Sequence, residues 1–162
     1  MAAAASTGLA DATSIELVFP VLAGETAQAV LEELSTGIAS ALSGVGAADL
    51  LRGFAEREAL GSTGLGGGLA VPHCKLAGVG RAWLAVGVHE HGVAFGAPDG
   101  RPVQVFLALV SPPSTPAAHL ALLAAIARWA RTPGRIEALA SAGDRRAILD
   151  QLDQAGAPAA AG

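Results

Sequence analysis

The stretch Arg57-Glu58-Ala59-Leu60-Gly61-Ser62-Thr63-Gly64-Leu65-Gly66-Gly67-Gly68-Leu69-Ala70-Val71-Pro72-His73 changes character twice within its length. It opens as the end of an amphipathic helix, because Leu50, Leu51 and Phe54 recur at helical spacing just before it and Gly61 stops the period. The glycines between 61 and 68 cannot hold a helix; they define a loop whose backbone enters positive φ or comes close to another group. A short strand over 69–71 follows, and Pro72-His73 leads the chain out of it. Helix, glycine loop and strand in that order read as part of an α/β domain. His73 stands at the mouth of the loop, where α/β folds often place reactive groups.

Working outward, residues 15–19 form a short apolar strand that ends at Pro20, and Val30, Leu31, Leu34, Ile38 and Leu42 define a helix over 26–42, stopped by Gly44 and Gly46. The helix before the glycine loop covers 47–60. Beyond His73, residues 83–88 and 103–110 read as buried strands separated by a glycine-rich turn region around 92–100. After Pro112-Pro113 the helical period returns over 116–131, with two shorter helical pieces at 134–141 and 144–152. No internal repeat or linker interrupts this order. The pattern predicts an α/β sandwich, a mixed central sheet flanked by helices. It also predicts a single domain over 15–152, between a flexible N-terminal extension (1–14) and a flexible C-terminal tail (153–162).

Composition narrows the functional classes. The chain has 162 residues, a size for one domain with a real core, and alanine and glycine together exceed a third of it. A formal charge of −4, with ten basic residues spread singly, leaves no electrostatic footprint for nucleic acid or an anionic membrane surface. Cys74 is the only cysteine, so no intramolecular disulfide is possible, and the expected compartment is the reducing cytoplasm. The alanine-rich opening lacks a basic region and a long apolar core, and the most apolar run, residues 105–110, is far shorter than the ~20 residues of a membrane span.

Several side chains carry chemistry. An imidazole with a pKa near ~6.5 is mostly neutral at neutral pH, which leaves one nitrogen of His73 free as base, ligand or nucleophile. The plainer reading is a loop histidine without a role. His119 falls in the first turn of the 116–131 helix with Leu122, Leu123 and Ile126 on its side, so it points along the buried face near the positive end of a helix dipole. The alternative is a core histidine satisfied by a backbone carbonyl. Arg57 sits at the edge of the preceding helix's apolar face, placed either to clamp a phosphate or to complement the helix C-terminus and pair with Glu56 or Glu58. Ser62, Thr63 and Gly64 supply hydroxyls and loop N–H groups that suit an anion, although most such turns bind nothing.

The loop lacks the lysine of a phosphate-binding Walker motif and fails the dinucleotide glycine pattern, which argues against ATP or NAD. His89 and His91 alternate onto one face of an extended segment, and Cys74 adjoins His73, but no third metal ligand is apparent, so His89-Glu90-His91 reads as a solvated strand end. A metal-dependent hydrolase built on His73, His89 and His91 is the reading this disfavours. Cys74 and His73, being adjacent in an extended segment, exit on opposite sides and do not form a thiol dyad.

The run from Arg57 to His73 closely resembles the active-site segment of the fructose, mannitol and nitrogen-type enzyme IIA domains of the bacterial phosphoenolpyruvate-dependent phosphotransferase system. The resemblance continues through Phe95-Gly96-Ala97-Pro98-Asp99-Gly100-Arg101-Pro102-Val103 and through His119-Leu120, and it covers residues 15–152. It implies a three-layer α/β sandwich. It implies that His73 accepts a phosphoryl group from an HPr-type phosphocarrier, with His119 as the second active-site histidine and Arg57 as the nearby cation. Ser62, Thr63 and Gly64 would then bind phosphate, and no cofactor or metal is required.

Onward transfer would go to a IIB domain, or docking to a regulated kinase or transporter, with no nucleic acid and no membrane insertion. A nitrogen-type regulator is the favoured branch. The alternatives are the IIA component of a split sugar transporter, or a IIA-shaped binding module that has lost phosphotransfer. Two departures from the family pattern bear on that last reading. Gly67 occupies a position that is often polar, which removes a local hydrogen-bond partner, and Cys74 replaces a small residue, which invites oxidation beside the site.

Overall fold

The helices form where the apolar period is longest. In the computed structural model, which describes residues 8–153, α1 spans Ala27–Ala41, and Thr26 caps it by accepting the Ala29 N–H at 3.1 Å. Helix α2 spans Ala47–Ala59, and α3 spans Pro116–Arg131, with proline in its first turn where no N–H is needed. Two short helices, α4 (Arg135–Ala140) and α5 (Arg145–Asp153), complete the C-terminal part. Among the described residues no helix is long and apolar enough to cross a membrane.

The strands are β1 (Val18–Phe19), β2 (Gly64–Gly66), β3 (Leu69–Ala70), β4 (His73–Lys75), β5 (Trp83–Val93) and β6 (Val103–Ser111). They form one sheet in the order β1-β5-β6-β3-β2, with β4 also paired to β6. β5 and β6 run antiparallel at the centre, whereas β1 is parallel to β5 and both β3 and β4 are parallel to β6, so the sheet is mixed as expected. The apolar run in β6 is continuous because both its faces are covered. Val105, Leu107 and Leu109 join Leu122, Ile126 and Trp129 of α3 in one layer, while Phe106, Ala108 and Val110 join Leu34, Ile38, Leu50 and Phe54 of α1 and α2 in the other. Helices on both faces make a three-layer sandwich.

Two strands lie where periodicity gave no signal. β3 and β4 are one interrupted strand, since Leu69↔Val105 and His73↔Leu109 keep the same offset along β6. The interruption falls at Pro72, which has no N–H to donate but whose carbonyl accepts the Leu109 N–H at 2.9 Å. β2 folds back antiparallel onto β3. The glycine stretch is therefore half hairpin, and Gly66, Gly67 and Gly68, at φ of 90°, 69° and 91°, make its turn. That backbone requires glycine in the sense the sequence suggested.

Three expectations are corrected here. The strand expected over 15–19 is a 3-10 turn at Ile15–Leu17 followed by only two paired residues, Val18 and Phe19. Residues 8–14 are not a frayed extension: Leu9–Ala12 forms a short 3-10 turn, Leu9 is 1 % exposed, and both end residues pack into the layer that contains α5. A single leucine among alanines carries too little pattern to announce this. The rest of the expected extension, residues 1–7, and the tail beyond 153 lie outside the described residues. The solvated strand end at 89–91 describes Glu90 and His91, but His89 is 8 % exposed and accepts the Gly92 N–H on Nδ1 at 3.0 Å. It stabilises the irregularity where the β5–β6 register shifts.

Candidate functional site

Strand β4 pairs with β6 on one side, and the C-terminal turns of α2 and the first turns of α3 approach it from opposite faces of the sheet. Between them is an open groove of about 450 Å³ whose walls include Arg57, Leu60, His73, His119, Leu120 and Leu123. Side-chain alternation sends Ala70 and Cys74 to the α1–α2 layer and Leu69 and Val71 to the α3 layer, so His73 leans toward α3.

The ring of His73 is held by its own strand. Nδ1 lies 2.8 Å from the carbonyl oxygen of Val71. A carbonyl only accepts, so Nδ1 carries the proton and Nε2 presents its lone pair. That lone pair receives the Nε–H of Arg57 at 3.2 Å, and Arg57 Nη1 donates to the Gly61 carbonyl at 2.9 Å. The guanidinium is thus braced at the C-terminal end of α2, where the helix dipole favours a cation. Among the described residues Arg57 forms no ion pair with Glu56 or Glu58. Of the plainer reading of this arginine, the helix-end role holds and the Glu56 or Glu58 pairing does not, and the guanidinium also contacts the candidate nucleophile.

His119 enters from the first turn of α3, 5 % exposed, and its ring centre lies 5.5 Å from that of His73 in an edge-to-face arrangement. Its Nδ1 is 2.5 Å from Ser111 Oγ, at the end of β6. Burial first, then electrostatic coupling to His73 and to the Lys75 ammonium, lowers its pKa from the usual 6.5, so His119 is neutral at neutral pH. The N-cap residue Thr115 makes no side-chain bond to α3, which leaves first-turn N–H groups uncapped beside this histidine. Arg57, Lys75 and that helix end favour an anion in the groove, with the Glu56 carboxylate on the same wall as Arg57 opposing them.

The glycine loop is organised differently. The Thr63 N–H donates to Glu58 Oε1 at 3.0 Å, and its hydroxyl donates to the other carboxylate oxygen. Ser62 Oγ donates to the Phe95 carbonyl at 2.5 Å and accepts the Gly64 N–H at 3.0 Å. Asp99 accepts N–H groups from Gly67 at 2.8 Å and Arg101 at 3.0 Å, and these bonds lower its carboxyl pKa. Ser62, Thr63 and Gly64 do not line the groove, and their polar groups are engaged within the loop and with the 95–101 segment. The structure brings His73, His119 and Arg57 together and gives the three loop residues the task of holding the strand that carries His73.

The departures noted in the sequence are resolved by position. Gly67 lies at the hairpin turn, with Ile136 3.4 Å from where a Cβ would stand, and its backbone is held by Asp99. Cys74 lies at the base of the groove and packs inward. It is 7 % exposed in the α1–α2 core, and burial pushes its thiol up to about 12, well away from the reactive thiolate.

Among the described residues no three metal-ligating side chains converge. Leu109 pairs with His73 and Val105 with Val88, next to His89, so the two histidines are separated along the sheet by four residues of β6, roughly 13 Å. Sequence reading missed four partners: Ser111, the Val71 carbonyl, Glu58 in its loop-holding role, and Lys75. Only Glu58 carried a local signal, as a carboxylate one turn before a Gly-Ser-Thr loop. Ser111 meets His119 across the Pro112-Pro113 turn, a contact set by how α3 returns onto β6.

The family model described as "Phosphoenolpyruvate-dependent sugar phosphotransferase system, EIIA 2" matches residues 12–155. A nitrogen regulatory protein of Pseudomonas aeruginosa is 38 % identical over 104 residues, covering 64 % of this chain and 68 % of the relative. One from Bradyrhizobium diazoefficiens is 30 % identical over 144 residues, covering 89 % and 94 %. The crystal structure of nitrogen regulatory protein IIA-Ntr from Neisseria meningitidis superposes with a TM-score of 0.82 at 28 % identity, over 89 % of this chain and 98 % of that one. With the match running through both motif segments and across all three layers, the chain belongs to the EIIA type 2 family of the phosphoenolpyruvate-dependent sugar phosphotransferase system.

Proposed function

We propose that this protein is a phosphohistidine carrier of the nitrogen-regulatory type, which takes a phosphoryl group on His73 Nε2 from an HPr-type phosphocarrier. The observation that carries the reading is the state of His73: Nδ1–H is bound to the Val71 carbonyl, the Nε2 lone pair faces an open groove, and a guanidinium is the group nearest to it. Phosphoryl transfer asks for an in-line nucleophile and cations or donors around the equatorial oxygens, and little else. As Nε2 attacks, its bond to phosphorus forms while the donor histidine's N–P bond breaks, and the electron pair returns to the donor ring. No proton has to leave His73. The positive charge that builds on its ring strengthens the Nδ1–H bond to Val71, and Arg57 turns from the lone pair to the arriving oxygens. His119, held neutral, adds a donor without adding a competing charge.

The rim suits a protein partner. Leu60 is 84 % exposed and Leu120 66 % exposed on opposite walls of the groove, which offers apolar contact around a polar centre. The regulatory branch is supported by the relatives named nitrogen regulatory protein. Docking of a IIB domain or of a regulated kinase or transporter would use this same face, so that the phosphoryl group's charge decides which partner is accepted.

The test is intact mass after incubation with phosphoenolpyruvate, enzyme I and an HPr-type protein. The wild type should gain one phosphoryl group and His73→Ala none, with unchanged circular dichroism. Full-rate phosphorylation of the variant would remove His73 from the role.

A further inference from the structure

We propose that Ser111 fixes the tautomer of His119, which makes the second histidine an Nε2–H donor toward the phosphoryl site rather than a second acceptor. The inference rests on the phosphocarrier reading for its consequence but not for its premise, which is hydrogen-bond accounting. Ser111 is fully buried, and its hydroxyl has one partner among the described residues, His119 Nδ1 at 2.5 Å. Two arrangements fit that contact. If Nδ1 carried the proton and donated to Oγ, the hydroxyl hydrogen of Ser111 would be buried with no acceptor, since the backbone N–H that approaches this residue, from Leu76, is a donor bound to the Ser111 carbonyl. If instead Ser111 O–H donates to Nδ1, both groups are satisfied and the ring proton sits on Nε2. The second arrangement avoids an unmet buried donor.

The consequence follows from where His119 stands. Its ring packs edge-on to His73 with centres 5.5 Å apart and lines the same groove. With Nδ1 occupied by Ser111, Nε2–H is the polar group His119 can offer there. A lone pair in that place would repel phosphoryl oxygens and compete with His73 as acceptor. Protonation of His119 would require the Ser111 hydroxyl to turn away from Nδ1 and lose its acceptor, so the same contact also opposes an imidazolium. Ser111 does not itself line the groove and acts through His119, which makes it a positioning residue.

The premise is tested on the unphosphorylated protein with 15N-labelled histidine, by long-range proton–nitrogen correlation. The wild type should show His119 with a protonated Nε2 and an unprotonated Nδ1. Ser111→Thr, which keeps the hydroxyl, should preserve that pattern, while Ser111→Ala should give a mixture of tautomers. A wild-type His119 protonated on Nδ1, or an unchanged pattern in Ser111→Ala, would overturn the proposal.

The consequence is tested by the rate at which His73 is phosphorylated. Ser111→Ala should slow it roughly three- to tenfold, the range for one lost neutral hydrogen bond, and Ser111→Thr should restore it. Adding Ser111→Ala to His119→Gln should cost nothing further, and an additional loss of the same size would show that Ser111 does not act through His119. A wild type that takes no phosphoryl group but shows the expected tautomer would overturn the carrier reading and leave the Ser111–His119 assignment standing.

Discussion

The glycine loop and the groove flank the same short strand, yet they treat their polar groups in opposite ways. In the loop, Thr63, Ser62, Gly64 and Gly67 each have a partner supplied by Glu58, by the 95–99 segment or by the loop itself. In the groove, the His73 lone pair is met, among the described residues, by the Arg57 guanidinium alone, and the positive end of α3 lacks a side-chain cap. A satisfied network rigidifies, whereas groups left for a ligand make chemistry possible. The segment that looks most like a phosphate cradle is therefore tied into the strand that carries His73, and the open groove lies where two helices end over an edge strand. Substitutions should accordingly separate rate from stability according to the region they fall in.

Arg57 gives the largest separation. Arg57→Ala should reduce the rate of phosphoryl transfer to His73 by about a hundredfold, the scale for a preorganised cation at a transferring group. Its melting temperature should stay close to wild type, because the side chain's bonds are at the open rim. A rate within twofold of wild type in a quenched-flow transfer assay would place the phosphoryl group away from this guanidinium.

Glu58→Ala should show the converse. It leaves the Thr63 N–H and hydroxyl without their acceptor in a buried position, at a cost of about 1–3 kcal/mol. Urea denaturation should report that loss as a lower midpoint with an unchanged slope, while the folded fraction keeps most of its transfer rate. A variant of wild-type stability that transfers slowly would mean that Glu58 belongs to the chemistry instead.

The smallest effect is a slope in pH. The unfolded chain takes up a proton on His119 near pH 6.5, whereas in the folded state burial, with coupling to His73 and Lys75, keeps it neutral to lower pH. The unfolded state thus binds more protons in that window, so stability rises with pH and falls as pH drops below 6.5. Stability measured from neutral pH downward, before the carboxylates titrate, should fall less steeply in His119→Gln than in the wild type. Equal slopes would show that His119 is no more shielded than in the unfolded chain.

The parts of the molecule that could be read directly are those in which one local rule speaks for many residues. Helix α3 begins at Pro116 and ends at Arg131 as the apolar period indicates, and α1 and α2 differ from their expected limits only at the caps. The β6 run could be read as buried because nothing polar interrupts it. What failed to announce itself was short or sparse. β2 and β4 are each three residues long, too few to show alternation, and Leu9 lies among alanines. His89 carries a polar name in a buried place because its ring caps a local irregularity in the ladder.

Local pattern was enough for the long helices, for the cores of β5 and β6, for the need for glycine between 61 and 68, and for the set of residue types fit for phosphoryl chemistry, all of which depend on neighbours within a few positions. The tertiary structure decided which of those residues meet. It paired Ser62 and Thr63 with Phe95 and Glu58, and packed Cys74 against the α1–α2 core at the base of the groove. It joined Arg57 to His73, and Ser111 to His119, across the two faces of one sheet. The physical reason is range: conformational preferences act along a few bonds of the chain, whereas a hydrogen bond between side chains depends on packed layers that bring distant segments within about 3 Å of each other.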